Sequence, residues 1–554
     1  MPGGLIQLNA YGAQNQYLNG NPQMSYFKTV YRRYTNFSME NLRINLDGPN
    51  ELSVESASKL SCRIDRNGDL ISQIYFVFNL PDIYSGYDIL NENRELSVYR
   101  FQWIESIGTN IINSVTITIG GQAVSTLYGD WIRIWHELFS PGNKATFDEM
   151  TGNLPELFSP QFATGNNSTY PTSTLSKNLN IDPDIFSSSQ YLSNPYLKPP
   201  SIKGRTVYVP IPFWFCTNSG LALPLIALQY HEVKLYIELK KLSEIYTIME
   251  TRPSDIDYGK RVAPNQIKDY HSIQNFISNI PSYNFREGDD FSSSKDGYRG
   301  WGLDPHLDVN YIFLDEDERK RFADLSHEYL IEQVNRYEFI GVVGQKTLDL
   351  KLSNPVKYLV WYALRDDFYK KNIFDNFTNW PIKNIDVGSL SYIRNITGEV
   401  TNKYNEFNQL QGIEDTAYIA YQQNNIPSKF NFRYFPRDII TSHTLLFNGV
   451  QRFNTRDQYY FNYTQPHQHS LYSTYPGLYF YSFSLEPTKI QPSGACNMSK
   501  LKTIQLQIKT IDVMSKMTDE NTIDFQHKFN IYVYSVNYNI FRVLAGMGGL
   551  SFNS

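Results

Sequence analysis

The sequence predicts an all-β protein: two antiparallel β-sandwiches in tandem, with one charged helix between them. Three observations predict it. Apolar and polar residues alternate with period two in segment after segment, the order of those segments repeats loosely in the two halves, and one capped, highly charged stretch stands at the junction. The size permits it. The chain has 554 residues, and β-sandwiches commonly run to roughly 200–250 residues each. Hydrophobic residues make up 41% and charged residues 19%, enough apolar matter for two cores and too much for a disordered chain.

Taken in order, the first series opens with SVTITIGGQAV, where Val115, Ile117 and Ile119 fall on one face and Thr116 and Thr118 on the other. Gly120-Gly121 supplies the positive φ angles of a tight hairpin. VYVPIPFWF and the small-residue loop TNSG follow, then HEVKLYIELK, with Val233, Leu235, Ile237 and Leu239 inward and Lys234, Glu238 and Lys240 outward. DVNYIFL, at 308–314, closes the series. In the second half Leu348, Leu350 and Leu352 alternate around Asp349 and Lys351, and HTLLFNGVQRF stands where the first hairpin stood. LYFYSFSLEP and QPSGACN come next. In KTIQLQIKT, Ile504, Leu506 and Ile508 alternate with Gln505, Gln507 and Lys509, and KFNIYVYSVNYNIF closes the chain's second series. One buried and one wet face per strand is the antiparallel pattern rather than that of a parallel α/β sheet.

The charged stretch FLDEDERKRFADLSHEYLIEQV predicts a linking helix over 315–334. Asp315 is its N-cap, with Glu318 placed to complete a capping box. Acids crowd the first turn, where the helix dipole favours them, and Phe322, Leu325 and Tyr329 form an apolar stripe. Long polar stretches at Phe158–Lys203, Lys241–His306 and about Asp366–Pro427 read as insertions on a rigid scaffold.

Composition restricts function. Net charge is −5, and before Glu40 the N-terminus carries only Lys28, Arg32 and Arg33, too little positive charge for direct nucleic-acid binding. Cys62, Cys216 and Cys496 are distant and form no CxxC pair, so reduced thiols are expected rather than a zinc site or disulfides. The opening MPGGLIQLNAYGAQNQYL has no secretory pattern, and the longest apolar run, LALPLIAL, is far shorter than a membrane span of roughly 20 residues. The expectation is a chain made in the cytosol.

Motifs that suggest chemistry read as structure. GVVGQKT lacks the glycine spacing of a phosphate loop. DRNGD, Asp65 to Asp69, has Phe76 where a calcium loop needs glutamate, so an Asn-Gly hairpin turn is expected. His467 and His469 lie in a Pro/Gln-rich loop, and His136, His231 and His327 lie in packing segments. The acid pairs Asp289-Asp290 and Asp366-Asp367 are expected in solvated loops. No catalytic residue, cofactor or metal is assigned. Asn166, Asn167, Asn376, Asn395 and Asn462 begin N-x-[ST] sequons and are the candidate N-glycosylation sites.

Five blocks carry a family resemblance: GGLIQLNAYGAQNQYLNGNPQMSYFKTVYRRYTNF, IPFWFCTNSGLALPLIALQYHEVKLYIEL, YIFLDEDERKRFADLSHEYLIEQV, YSFSLEPTKIQPSGACNMSKL and FRVLAGMGGL. In this order they resemble the major capsid proteins of the nucleocytoplasmic large DNA viruses, the phycodnavirus, iridovirus and mimivirus group. The resemblance implies a double jelly roll, two eight-stranded sandwiches side by side. It implies an N-terminal arm at 1–25 and a first jelly roll at 26–314, with long insertions near 139–205 and 241–307. The linking helix at 315–334 and a second jelly roll with a C-terminal tail at 335–554 complete it. It further implies a homotrimer forming a pseudo-hexagonal capsomer that packs with neighbouring capsomers into an icosahedral shell. Minor capsid and penton proteins are the implied partners, with the inner viral membrane met by the arm. The implied location is the virion, after synthesis in the host cytoplasm. The alternative is a carbohydrate-binding or carbohydrate-active β-sandwich, for which tyrosine-rich YSTYPGLYFYSF would stack sugars. A nucleic-acid-binding coat is the third reading, disfavoured by charge.

Overall fold

The structure is a computed structural model. It describes residues 3–85, 87–90, 95–163, 166, 170–171, 200–250, 261–265, 267–268, 271–277, 301–379, 437–471, 475–512, 514–515 and 525–552. The first sandwich uses β1 (Phe37–Asn45), β2 (Ser58–Ile64), β3 (Leu70–Leu80), β4 (Ile112–Ile119), β5 (Gln122–Tyr128), β6 (Arg205–Pro210), β7 (Val233–Leu239) and β8 (His306–Leu314). They form two antiparallel sheets, ordered β1-β8-β3-β6 and β2-β7-β4-β5. Val115, Ile117, Ile119, Val233, Leu235, Ile237 and Leu239 all enter the core between them. Gly120 and Gly121 turn the hairpin at φ +60° and +83°. A side chain on Gly120 would also collide with the ring of His231, 2.3 Å from its Cβ position.

The second sandwich repeats the plan with β9 (His327–Val342), β10 (Gln345–Asp349), β11 (Pro355–Arg365), β12 (Ile440–Phe447), β13 (Val450–Gln451), β14 (Leu478–Ser482), β15 (Ile504–Thr510) and β16 (Phe529–Leu544). Its sheets are ordered β9-β16-β11-β14 and β10-β15-β12-β13. In both halves the first strand lies beside the eighth, then the third and sixth, and the second beside the seventh, fourth and fifth. That is jelly-roll connectivity twice over, so the expected double jelly roll is the observed fold. Asn448 and Gly449, at φ +51° and +81°, close the second hairpin as Gly120-Gly121 close the first.

Three local expectations fail. The linking helix runs only over Glu316–Asp324 (α3), and residues 327–334 of the expected 315–334 helix belong to β9. Asp315 is the N-cap, but its side chain accepts from the Glu316 N–H rather than from the amide of the third helical residue, Glu318, that a capping box uses. Phe322 packs on the first sandwich with Leu70 and Ile312, whereas Leu325 is 62% exposed and Tyr329 lies in the strand. Helix propensity in HEYLIEQV loses to register: β9 pairs with β16 from His327–Val543 to Val342–Phe529, burying Ile331 and Gln333. Tertiary pairing outweighs a local preference worth only tenths of a kcal/mol per residue.

DRNGD is likewise no hairpin. It joins β2 and β3, which lie in opposite sheets, and buries Asp69, whose carboxylate accepts from the Leu314 N–H and from Arg319. The third failure is an omission. The chain leaving β5 forms helix α1 (Gly129–Phe139), and part of the expected insertion after it is helix α2 (Lys144–Thr151). Much of the two insertions in the first half, and most of the stretch expected from Asp366 to Pro427, lie outside the described residues.

The β9-β16-β11-β14 sheet sits in the middle of the molecule. Leu359, Trp361 and Ala363 of β11 point into the second sandwich, while Tyr358, Val360, Tyr362 and Leu364 point the other way and join the first core. Phe529, Ile531 and Val533 of β16 alternate with Tyr532 and Tyr534 in the same manner. A strand buried on both faces accounts for the continuous apolar run YLVWYAL, which shows no alternation.

Candidate assembly surfaces

Helix α1 is what joins the sandwiches. Trp131, Ile134 and Leu138 give it an apolar stripe at helical spacing, and all three are buried. Trp131 packs on Tyr534 with ring centroids 5.0 Å apart, and Phe139 packs on Tyr358 at 5.3 Å. At the start of the helix, the Asp130 carboxylate accepts from the hydroxyls of both Tyr362 and Tyr534. The Arg336 guanidinium covers the Tyr128 ring at 4.1 Å. Burial opposes its charge, but Asp130 and the two tyrosines outweigh that and hold Arg336 above its ordinary pKa. Arg133 forms a buried ion pair with Asp375 beneath the Tyr475 ring.

Backbone groups extend the junction. Gln333 donates to the Val124 carbonyl at 2.7 Å and accepts from Asn539 at 2.8 Å. Strand β17 (Met547–Leu550) folds back from β16 onto the first sandwich, where the Tyr230 N–H donates to the Gly546 carbonyl at 2.9 Å. The Gly548 N–H donates to His231 Nδ1 at 3.2 Å. Satisfied polar groups inside an apolar contact fix one relative placement of the two halves.

Other apolar surface stands exposed among the described residues. Residues 3–36 are exposed apart from Asn15, including Leu8, Tyr17, Leu18 and Phe27 at 76%, 93%, 89% and 100%. Beyond the arm, Met39 and Tyr208 stand out from the β1-β8-β3-β6 sheet, and Tyr459, Tyr463 and Leu485 from the second sandwich. Such concentrations of exposed apolar side chains mark interaction surfaces.

The residues singled out for chemistry are placed as follows. Asp366 and Asp367 begin helix α4 (Asp366–Lys370), where with His527 they form the one group of metal-capable side chains among the described residues. They are not in a solvated loop. Asp367 takes two bonds from Arg365, at 2.7 and 2.6 Å, and against the opposing effect of burial these hold its carboxyl below the usual range. The cation there is already an arginine. His467 lies in a helical turn at Gln465–Gln468, not a loop, and His469 caps it. Asp289-Asp290 lie outside the described residues, as do sequon positions Asn167 and Asn395. Asn376 and Asn462 are 2% exposed. Asn462 donates to the Tyr475 and Leu478 carbonyls, and Asn376 accepts from Thr378, so neither amide is open to a glycan in the folded chain. Asn166 is partly exposed and donates to the Pro160 carbonyl at 2.6 Å. In the tyrosine-rich segment on which the alternative, sugar-binding reading rests, Tyr475, Tyr479 and Tyr481 are core.

Known proteins agree with this architecture. The family described as major capsid protein N-terminus matches residues 25–315, and large eukaryotic DNA virus major capsid protein matches 318–549. The major capsid protein of Paramecium bursaria Chlorella virus 1 is 30% identical and that of Phaeocystis pouchetii virus 29%, each with all of both chains covered. Among solved structures, the PBCV-1 virus capsid superposes with a TM-score of 0.59 at 25% identity, over 96% of this chain and 100% of that one. The Faustovirus major capsid protein, at 11% identity, shares the fold with a TM-score of 0.58, over 98% of this chain and 96% of that one. With two linked jelly rolls and uncovered apolar faces built for contact, the chain belongs to the family of large eukaryotic DNA virus major capsid proteins and is a structural subunit of the virion shell.

Proposed function

We propose that three copies close into a pseudo-hexagonal capsomer, and that such capsomers tile an icosahedral shell. The observation that carries this reading is an asymmetry between two equivalent faces. In the second sandwich the outer face of the β9-β16-β11-β14 sheet is buried against the first sandwich, with Tyr362 and Tyr534 at 2% and 0% exposure. The same face of the first sandwich keeps Tyr208 at 41% and Met39 at 65%. One contact made within the chain while its counterpart keeps exposed apolar side chains is a heterologous arrangement, which closes into a ring when the rotation permits.

The arm, lacking acids and rich in exposed apolar residues, fits docking on minor capsid proteins and an inner viral membrane rather than on nucleic acid. Residues 1–25, 26–314 and 335–554 serve in this reading as arm and two barrels, the second extended back to β9. Assembly in the host cytoplasm suits three reduced cysteines. The subunit's work is contact and not catalysis. Light scattering on purified protein tests the central claim: a mass about three times 64.3 kDa is expected, and a folded monomer at micromolar concentration refutes it. Negative-stain images should show six-lobed particles of threefold symmetry.

A further inference from the structure

From the internal repeat we infer which surfaces meet between copies: the outer face of the β1-β8-β3-β6 sheet of one copy receives the helical segment after β13 of the next. This rests on the trimer reading and adds residues to it.

Within the chain, the element that covers the second sandwich's sheet is α1, which leaves the fifth strand of the first jelly roll directly. The second jelly roll has an element at the corresponding place. After Arg456–Asp457, residues Tyr460–Thr464 and Gln465–Gln468 are helical. Its inner side is anchored by Phe461, fully buried against Trp361 with ring centroids 5.2 Å apart. Its outer side presents Tyr459 and Tyr463, stacked at 6.0 Å and 55% and 49% exposed. Leu485, 78% exposed, lies in the connection after the sixth strand. The corresponding connection in the first jelly roll carries Trp214, which packs on Phe541 of the covered sheet at 5.9 Å. Both covering elements of the first sandwich thus have counterparts in the second, and those counterparts end in exposed apolar side chains that join none of the cores among the described residues.

The receiving face is equally defined. Val207 and Val209 of β6 point inward, so Tyr208 points out. Its counterpart on β14 is Phe480, which pairs with Val360 as Tyr208 pairs with Val77, and which is completely buried by the first sandwich. On the same face the amides are mutually satisfied: Asn41 donates to Asn310 at 2.7 Å and Asn310 to Gln73 at 2.8 Å. Such a surface can be covered without stranding polar groups. Because the two patches lie on different jelly rolls, each copy offers one and accepts the other, the head-to-tail pairing a closed ring of three requires.

The test substitutes Tyr463→Glu and, separately, Tyr208→Glu, with circular dichroism and light scattering on each. Both side chains are about half exposed, so a native spectrum is expected with loss of the trimer, the dissociation constant rising at least about tenfold. The double variant Y208C/Y463C should, with a mild oxidant, give disulfide-linked species of up to three copies on a non-reducing gel. A wild-type trimer whose two glutamate variants both stay trimeric, with no cross-linked species, overturns this assignment and leaves the trimer standing. A monomeric wild type overturns the trimer itself. Should either glutamate variant fail to fold, the cross-link decides.

Discussion

Replacing His443 with glutamine should flatten the acid dependence of stability. His443 lies on β12 with no exposed surface, its ring among Trp361, Phe461 and Tyr479. Trp361 Nε1–H donates to His443 Nδ1 at 3.1 Å, so the neutral ring carries its proton on Nε2, which has no hydrogen-bond partner among the described residues. Protonating Nδ1 would set two donors face to face in an apolar core. Burial accordingly lowers the pKa from 6.5 to about 3. The folded value is the depressed one and the charged form is the acid form, so stability is full above pH 6.5 and is lost as pH falls toward 3. At about 1.36 kcal/mol per pH unit, moving to pH 5 costs about 2 kcal/mol. Glutamine can still accept from Trp361 but has no proton to gain. Urea unfolding at pH 7.5 and 5.0, followed by tryptophan fluorescence, should therefore show the wild type losing about 2 kcal/mol more than H443Q over that interval. Any constant offset between the proteins cancels in this comparison. Parallel pH dependence would refute the argument.

Asp130→Ala should destabilise the junction by about 3–5 kcal/mol, because Arg336 and two tyrosine hydroxyls lose their common partner; calorimetry on D130A measures it, and a change within about 0.5 kcal/mol, as for an ordinary surface position, would mean the cluster is solvated. Burial pushes the Cys62 and Cys216 thiols up to about 12, so at pH 8 a disulfide reagent should label them slowly in the native protein and rapidly in urea. His136, stacked on Phe147 and lowered by burial to about 4, should add a loss of the same sign as His443 below pH 6.5, separable in H136Q. Peptide mass spectrometry of virion protein should find Asn376 and Asn462 without glycan.

Much of the fold was legible without coordinates because half-buried antiparallel strands write their burial into alternate residues. Val115, Ile117 and Ile119, or Ile504, Leu506 and Ile508, announce both strand and facing. Gly120-Gly121 announces its turn because few other residues tolerate those angles. The signal for helix α1 was present too, since Trp131, Ile134 and Leu138 carry helical spacing. What no local pattern contains is the identity of the neighbour. HEYLIEQV satisfies a helix and is a strand because β16 lies alongside it. DRNGD satisfies a hairpin and crosses between sheets because β3 pairs with β8. Tyr362, Tyr534, Asp130 and Arg336 look unrelated across four hundred positions until packing brings them together. Alternation reports how deeply a residue is buried, whereas register and the union of two barrels are set by contacts distant in the chain, and only the folded arrangement contains those.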